Sequence, residues 1–443
     1  MTTSSALLVA LTGTALTLPA CAQPAAQPAH APAGTPAPSA GSPGGGAGAP
    51  AKADPAAWTK EESVFLQDPV QLTFSAEYAK AGESYFDYDN SRVVFQGVMA
   101  PKEGQEADPF YSMFVAPLVL EGGRPRLGAT VRVSPGGASN TCGWFDPLHH
   151  DRILLGSTIT VPAEHQKAGF QVGMRKYVWM FPSEMEVCEV SAGPGGTPSP
   201  VFSRGNYDAE CSFDASGRFI LYTHVEDAPP AKDGETAQPR PDGNIYIYDT
   251  VTKKHHPIVV APGYDGGPFF SPDGRSICYR SDRQGNDLLQ VFVADLKFEN
   301  DADGALKISL GREWQLTKGE NVNWAPFWHP SGTYLVYGSS EAGHDNYELF
   351  AIEADMERLR GDPAKKVPGV EPSAMRHVRI THAPGADILP AFSADGKYLI
   401  WTSQRAGKVA GEQRPASQLW MARWRGVSFE GAPGAWAEAP AAK

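Results

Sequence analysis

Apolar and polar residues alternate along most of this chain, and short clusters of Ser, Pro, Asp and Gly interrupt the alternation. The clearest stretches are Gly267-Pro268-Phe269-Phe270-Ser271-Pro272-Asp273-Gly274-Arg275-Ser276-Ile277-Cys278-Tyr279 and Ala325-Pro326-Phe327-Trp328-His329-Pro330-Ser331-Gly332-Thr333-Tyr334-Leu335-Val336-Tyr337. Two more centre on Phe392-Ser393-Ala394-Asp395-Gly396 and Phe213-Asp214-Ala215-Ser216-Gly217. Each reads as a strand, a tight turn and an alternating aromatic and β-branched strand, which is a β-hairpin. Degenerate copies lie at Ser84 to Phe95 and Gly143 to Leu155. The turn positions Asn90, His150, Gly217, Gly274, Gly332 and Gly396 recur about every 60 residues, a period that signals a repeat architecture.

A third strand is expected after each hairpin, at Ser112 to Val115, Tyr177 to Met180, Asn244 to Tyr248, Leu289 to Val293, Glu348 to Ile352 and Gln418 to Ala422. Fourth strands end in a Leu-Thr-like signal at Gln315-Leu316-Thr317 and Arg379-Ile380-Thr381. The same signal at Gln71-Leu72-Thr73 precedes the first hairpin, and none follows the last third strand. The predicted fold is therefore all-β: a six-bladed β-propeller of four-stranded antiparallel blades, its ring closed by an N-terminal strand. The pattern resembles the TolB-like propeller, the WD40-like PD40 repeat family, over about 80% of the chain. The closest motif is Ser271-Pro272-Asp273-Gly274 followed by Ser281-Asp282-Arg283-Gln284-Gly285. The α/β domain that precedes the TolB propeller is not recognisable; an Ala/Pro/Gly segment stands in its place.

Composition divides the chain. Residues 22–57 hold 28 Ala, Pro or Gly out of 36 and no large apolar side chain, too little to offset the entropy of ordering, so they read as a tether. As a coil it spans roughly 30–35 Å. Ahead of it, the apolar run Ala6 to Leu18 is too short to cross a bilayer and suits a signal peptide. It ends in Leu18-Pro19-Ala20-Cys21, which resembles a bacterial lipobox and implies lipidation at Cys21. The expected layout is a signal peptide over 1–21, a tether over 22–57, the propeller over 58–425 and a tail over 426–443. The protein is expected to be exported, periplasmic or anchored at the outer membrane through a lipid. The formal charge of −12 and the lack of basic runs argue against a nucleic-acid partner.

Five residues before the recurrent aromatics stand Asn140, Asp208, Asp265, Asn323 and Asp387. Ring closure is expected to aim them at one mouth of the central channel as a binding rim, where their mutual repulsion would call for solvent, protonation or a cation. The alternative is that each accepts hydrogen bonds from its own loop. Long connections between second and third strands lie on the same face, making it the candidate contact surface.

Catalytic signals are sparse. There is no Gly-x-Ser-x-Gly, no zinc spacing and no phosphate-binding loop. His149-His150 and His255-His256 are adjacent pairs, which point to opposite faces of a strand. No cofactor is called for; a divalent cation at the channel mouth is the one alternative left open. Cys142, Cys188, Cys211 and Cys278 form either two disulfides or buried thiols. The resemblance implies a non-catalytic binding or scaffold module of the cell envelope, engaging a protein or peptide through the loop face. The alternative it leaves is a metal-dependent polysaccharide-acting enzyme like the oligogalacturonate lyases.

Overall fold

The computed structural model describes residues 55–120, 124–163, 169–171, 176–226, 242–406 and 415–436. The signal peptide, Cys21 and nearly all of the tether lie outside the described residues.

A helix α1 (Pro55–Glu62) and a strand β1 (Leu66–Gln71) precede the first hairpin. Blade one is β2 (Tyr78–Phe86), β3 (Arg92–Met99) and β4 (Ser112–Val119), edged by two short strands, β5 (Arg126–Leu127) and β6 (Val131–Arg132), that both pair with β4. Blade two begins with β7 (Asn140–Phe145) and β8 (Arg152–Ser157). Next comes a small hairpin of β9 (Gly169–Gln171) and β10 (Lys176–Val178), then β11 (Glu186–Ser191) and β12 (Ser199–Pro200). Blade three is β13 (Asp208–Phe213), β14 (Phe219–Glu226), β15 (Asp242–Asp249) and β16 (Lys254–Val259). Blade four is β17 (Asp265–Phe270), β18 (Ser276–Ser281), β19 (Gln290–Asn300) and β20 (Leu306–Gln315). Blade five is β21 (Asn323–Trp328), β22 (Tyr334–Ser339), β23 (Glu348–Glu353) and β24 (His377–Arg379). Blade six is β25 (Asp387–Phe392), β26 (Tyr398–Ser403), β27 (Gln418–Trp424) and, from the other end of the propeller sequence, β1. This is a six-bladed β-propeller.

One expected strand is misplaced. The third strand of blade two is Glu186–Ser191, not Tyr177 to Met180. Its sequence Glu-Val-Cys-Glu-Val-Ser is half polar and so is a weak strand signal. The aromatic run that looked like a strand instead carries Trp179 and Phe181 over the channel, where Phe181 packs on Tyr207 and Tyr264 at 5.0 and 5.5 Å. Residues 426–436, read as the start of a tail, run back over blades four and five. Ala435 N donates to Met375 O at 2.7 Å and Trp436 Nε1 to Leu316 O at 3.1 Å.

The Leu-Thr signal has a common cause. Beyond the fourth strand the ladder ends, and the Thr hydroxyl takes the next free N–H of the third strand: Val291 N to Thr317 Oγ1, Leu349 N to Thr381 Oγ1 and Leu419 N to Thr73 Oγ1, at 2.8–2.9 Å.

Ring closure rests on two contacts. β1 pairs antiparallel with β27, Leu66 opposite Trp424 and Val70 opposite Met421, so the third strand of the last blade is not left as an open edge. Beside it, Glu62 at the end of α1 grips Arg405 through two bonds of 2.8 and 3.1 Å, and Arg405 also donates to Asp387 at 2.7 Å. All three side chains are 1% exposed. The guanidinium lies 5.1–5.4 Å from the ring centres of Trp58, Trp401 and Trp420. Burial raises the Glu62 carboxyl against the opposing pull of Arg405, so the cluster holds together only while the cation is present.

Arg405→Met is accordingly expected to cost about 3–5 kcal/mol, because it strands two buried carboxylates. Glu62→Gln, which leaves the Asp387 pair intact, should cost clearly less. Urea denaturation midpoints check this; equal losses below about 1 kcal/mol would show that the ion cluster does not hold the N-terminal helix.

Candidate functional site

The five residues expected at the rim occupy the first position of inner strands β7, β13, β17, β21 and β25, and all are buried, between 0 and 4% exposed. Each is hydrogen-bonded within its own blade or to the blade before it. Asn140 donates to Tyr111 O and Ala138 O and accepts from Ser157 Oγ, all at 2.8 Å. Asp208 bonds His224 Nδ1 at 2.7 Å, Asp265 accepts from Arg283 at 2.9 Å, and Asp387 from Arg405 and from Trp401 Nε1. Asn323 Nδ2 donates to Gln290 Oε1 at 3.0 Å. Asp therefore occurs where the end of the neighbouring strand brings a basic side chain, His224, Arg283 or Arg405, and Asn where the partners are neutral, Ser157 of the same blade or Gln290 of blade four. A buried carboxylate needs a basic partner and a buried amide does not. None of the five lines the central cavity.

The cavity is lined two positions further along. Every inner strand breaks register with its neighbour there: the shifts fall between Gly82 and Ser84, Thr141 and Trp144, Ala209 and Ser212, Gly266 and Phe269, Trp324 and Phe327, and Ile388 and Ala391. At each shift one residue has positive φ: Glu83 (38°), Cys142 (52°), Glu210 (56°), Gly267 (57°), Ala325 (51°) and Leu389 (55°). Such a bulge re-aims its side chain, and all six residues line one chamber of about 530 Å³. For the five that are not glycine the conformation costs on the order of 1 kcal/mol each. In the last three blades the next residue is Pro268, Pro326 or Pro390, which has no N–H to give to a ladder and so fixes the bulge.

Two positions beyond the bulge, Tyr85, Trp144, Phe269 and Phe327 meet on the axis. Every pair among them is in ring contact, at centroid distances from 5.0 to 6.3 Å. Such contacts add about 0.5–1.5 kcal/mol each beyond burial. This aromatic septum separates the chamber from a second, apolar cup of about 240 Å³ at the end of the hairpin turns. The chamber is thus blind. Its open end is framed by connections between second and third strands, including Tyr111, Trp179, Phe181, Asp282 and Asp287.

The chamber floor is chemically uneven. Glu210 accepts from Tyr264 OH and from Gly267 N, accepts from Thr223 Oγ1 at 3.1 Å, and lies 3.3 Å from Arg280 Nη2. Arg280 also donates to Tyr264 OH at 3.0 Å and lies 5.8 Å from the Trp324 ring centre. Gly267 makes room for it: a Cβ there would fall 2.1 Å from Arg280 Nη1. Glu83 Oε1 accepts from Tyr85 OH at 3.1 Å and from the Cys142 thiol at 3.0 Å. Burial raises the Glu83 carboxyl, and burial followed by the fields of Glu83 and Glu210 raises the Cys142 thiol well above its ordinary value, which keeps it a donor. The four cysteines of the propeller are all free thiols. Among the described residues no three His, Cys, Asp or Glu side chains are grouped as metal ligands.

No protein-family model matches the chain. Among curated proteins it is 25% identical over 179 residues to the Tol-Pal system protein TolB of Wolinella succinogenes; the match spans 40% of this chain and 34% of that protein, about a third of its length. The propeller resembles that of TolB. Among solved structures, putative TolB from Agrobacterium tumefaciens aligns with a TM-score of 0.43 at 15% identity, covering 78% of this chain and 91% of that one. Oligogalacturonate lyase in complex with manganese aligns with a TM-score of 0.42 at 13% identity, covering 81% and 95%.

Sequence reading alone missed the chamber residues, although Pro268, Pro326 and Pro390 inside strand patterns mark the bulges that aim them. Because burial raises the Glu83 carboxyl in the folded state, its protonated form favours folding. That contribution is complete below the ordinary carboxyl range and is lost as pH rises through the raised folded value. Glu83→Gln is expected to melt above the wild type at about pH 7–8 and to match it at about pH 4. Melting curves across that range check the sign; a variant less stable at neutral pH would refute it.

Proposed function

We propose that this is an exported, lipid-anchored propeller that acts as a non-catalytic binding module of the cell envelope, receiving a segment of a partner protein in the chamber. The observation that carries this reading is the blind chamber itself. It opens among the loops, is walled by aromatic residues including Trp179, Phe181, Tyr264 and Trp324, and is closed below by the septum. A socket about 530 Å³ in volume accepts a few side chains or a chain end and does not conduct through the ring. The similarity to TolB supports an envelope setting, and Leu18-Pro19-Ala20-Cys21 with the tether supports attachment at a membrane and reach away from it.

Ala325 faces the chamber with a Cβ already in the left-handed conformation, so Ala325→Trp fills the socket without new backbone strain. Immobilised wild type is expected to retain a defined envelope protein that Ala325→Trp loses, with the variant's melting temperature little changed. Retention by both proteins, or turnover of oligogalacturonate by the wild type with added manganese, would refute the reading.

Attachment is checked separately. Cys21→Ser is expected to abolish labelling by radioactive palmitate and to move the protein from the membrane fraction to the soluble fraction; unchanged fractionation would remove the lipid anchor from the proposal.

A further inference from the structure

The six bulge residues divide the chamber into unlike halves. Blades four to six contribute Gly267, Ala325 and Leu389, and blades one to three contribute Glu83, Cys142 and Glu210. Glu83 and Glu210 hold the same repeat position two blades apart, yet only one of them has a cation. Glu210 is matched by Arg280, whose guanidinium lies 5.6 Å from the Tyr264 ring centre and 5.8 Å from that of Trp324. The molecule thereby shows how this chamber holds a basic group: carboxylate on one side, aromatic faces around it.

Glu83 has the carboxylate without the cation. Its Oε1 takes two neutral donors, the Tyr85 hydroxyl and the Cys142 thiol; no donor reaches Oε2 among the described residues, and Glu83 lines the chamber. The charged groups facing it are otherwise engaged. Arg280 belongs to Glu210, and Lys80, on the same strand as Glu83, donates from Nζ to Ser417 Oγ at 3.0 Å. Among the described lining residues, Asp282 towards the mouth joins Glu83 and Glu210, three carboxylates against the basic side chains Arg280 and Lys80. In a chamber walled by aromatic rings, water screens that imbalance poorly.

We infer that Glu83 is the seat for a cationic side chain, so that the segment entering the chamber is a basic one, its Lys ammonium or Arg guanidinium bonded to Oε2 and flanked by the aromatic wall. This rests on the reading of the chamber as a socket for a partner segment. The opposite half, with Ala325, Leu389 and Ile388, takes the apolar part of the same segment.

The test is isothermal titration calorimetry with acetylated, amidated Ala-Ala-Arg-Ala-Ala, its Lys and Gln counterparts, and ethylguanidinium. The Arg and Lys peptides are expected to bind the wild type about 10- to 100-fold more tightly than the Gln peptide, the range of a charge-assisted bond. Glu83→Gln should remove that preference. On the wild type alone, binding should release protons, read from the dependence of the heat on buffer ionisation, and affinity should rise with pH as the buried carboxyl ionises. A preference that persists in Glu83→Gln, or its absence in the wild type, overturns the inference. If the Gln peptide binds the wild type as well as the Arg peptide and Ala325→Trp blocks both, the basic seat fails and the socket stands. Binding in no arm, or binding that Ala325→Trp leaves intact, overturns both. Ethylguanidinium binding as tightly as the Arg peptide would overturn the peptide as its source in favour of a free small-molecule guanidinium.

Discussion

A four-stranded blade buries its faces only against its neighbours, so each blade of this ring depends on the ring being closed. Closure is made at one place, where β1 is laid against β27 and Glu62 is drawn into the cage around Arg405. The two contacts are unlike in kind. The strand pairing satisfies the ladder of the last blade and sets the register, whereas the ion cluster fixes the helix just before it through a buried charge that tolerates no loss of a partner. Arg405 also holds Asp387 at the start of the inner strand of the same blade. The latch at the periphery and the strand that lines the channel are therefore one structure.

That coupling explains the rim residues. A first-position Asp matched to a basic side chain of its own blade, or an Asn that also reaches back to the preceding blade, ties down the entrance of each inner strand, and the following bulge faces the axis. The bulge is what makes a chamber out of a packed ring. Two residues stand opposite one, the chain turns through the left-handed region, and a side chain that would otherwise pack between blades is delivered to the cavity. One step beyond, the septum of Tyr85, Trp144, Phe269 and Phe327 fills the axis again.

Much of the ring was legible because it repeats. Hairpin turns recur with Gly or Asn at positive φ at Asn90, Gly217, Gly274, Gly332 and Gly396, and the orphan Leu-Thr signal at Gln71-Leu72-Thr73 foretold the closing strand. The third strand of blade two was not legible, because Glu186–Ser191 lacks the apolar run that Tyr177 to Met180 displays. Nor was the pairing of two signals noticed separately. Ser281-Asp282-Arg283 reads as a family motif and Asp265 as a rim carboxylate, yet Arg283 is the partner of Asp265. Their contact spans 18 residues, beyond the reach of any local pattern.

The repeats also act as a comparison within one molecule. Blades four to six show that the bulge closes well with Gly, Ala or Leu at the left-handed position, so folding does not require a charge there. Glu83 and Glu210 nonetheless add burial of a carboxylate to the strain of the backbone, and Glu210 is accompanied by a guanidinium, two hydroxyl donors and a glycine pair that clears space for them. Residues that cost stability at a position where the same fold has cheaper solutions are what a binding site requires and what a purely structural ring would lack. The polar chemistry is confined to consecutive blades, and the apolar positions face it across the axis. A socket divided in this way would distinguish the two sides of whatever entered it, which is the asymmetry that the proposed basic segment requires.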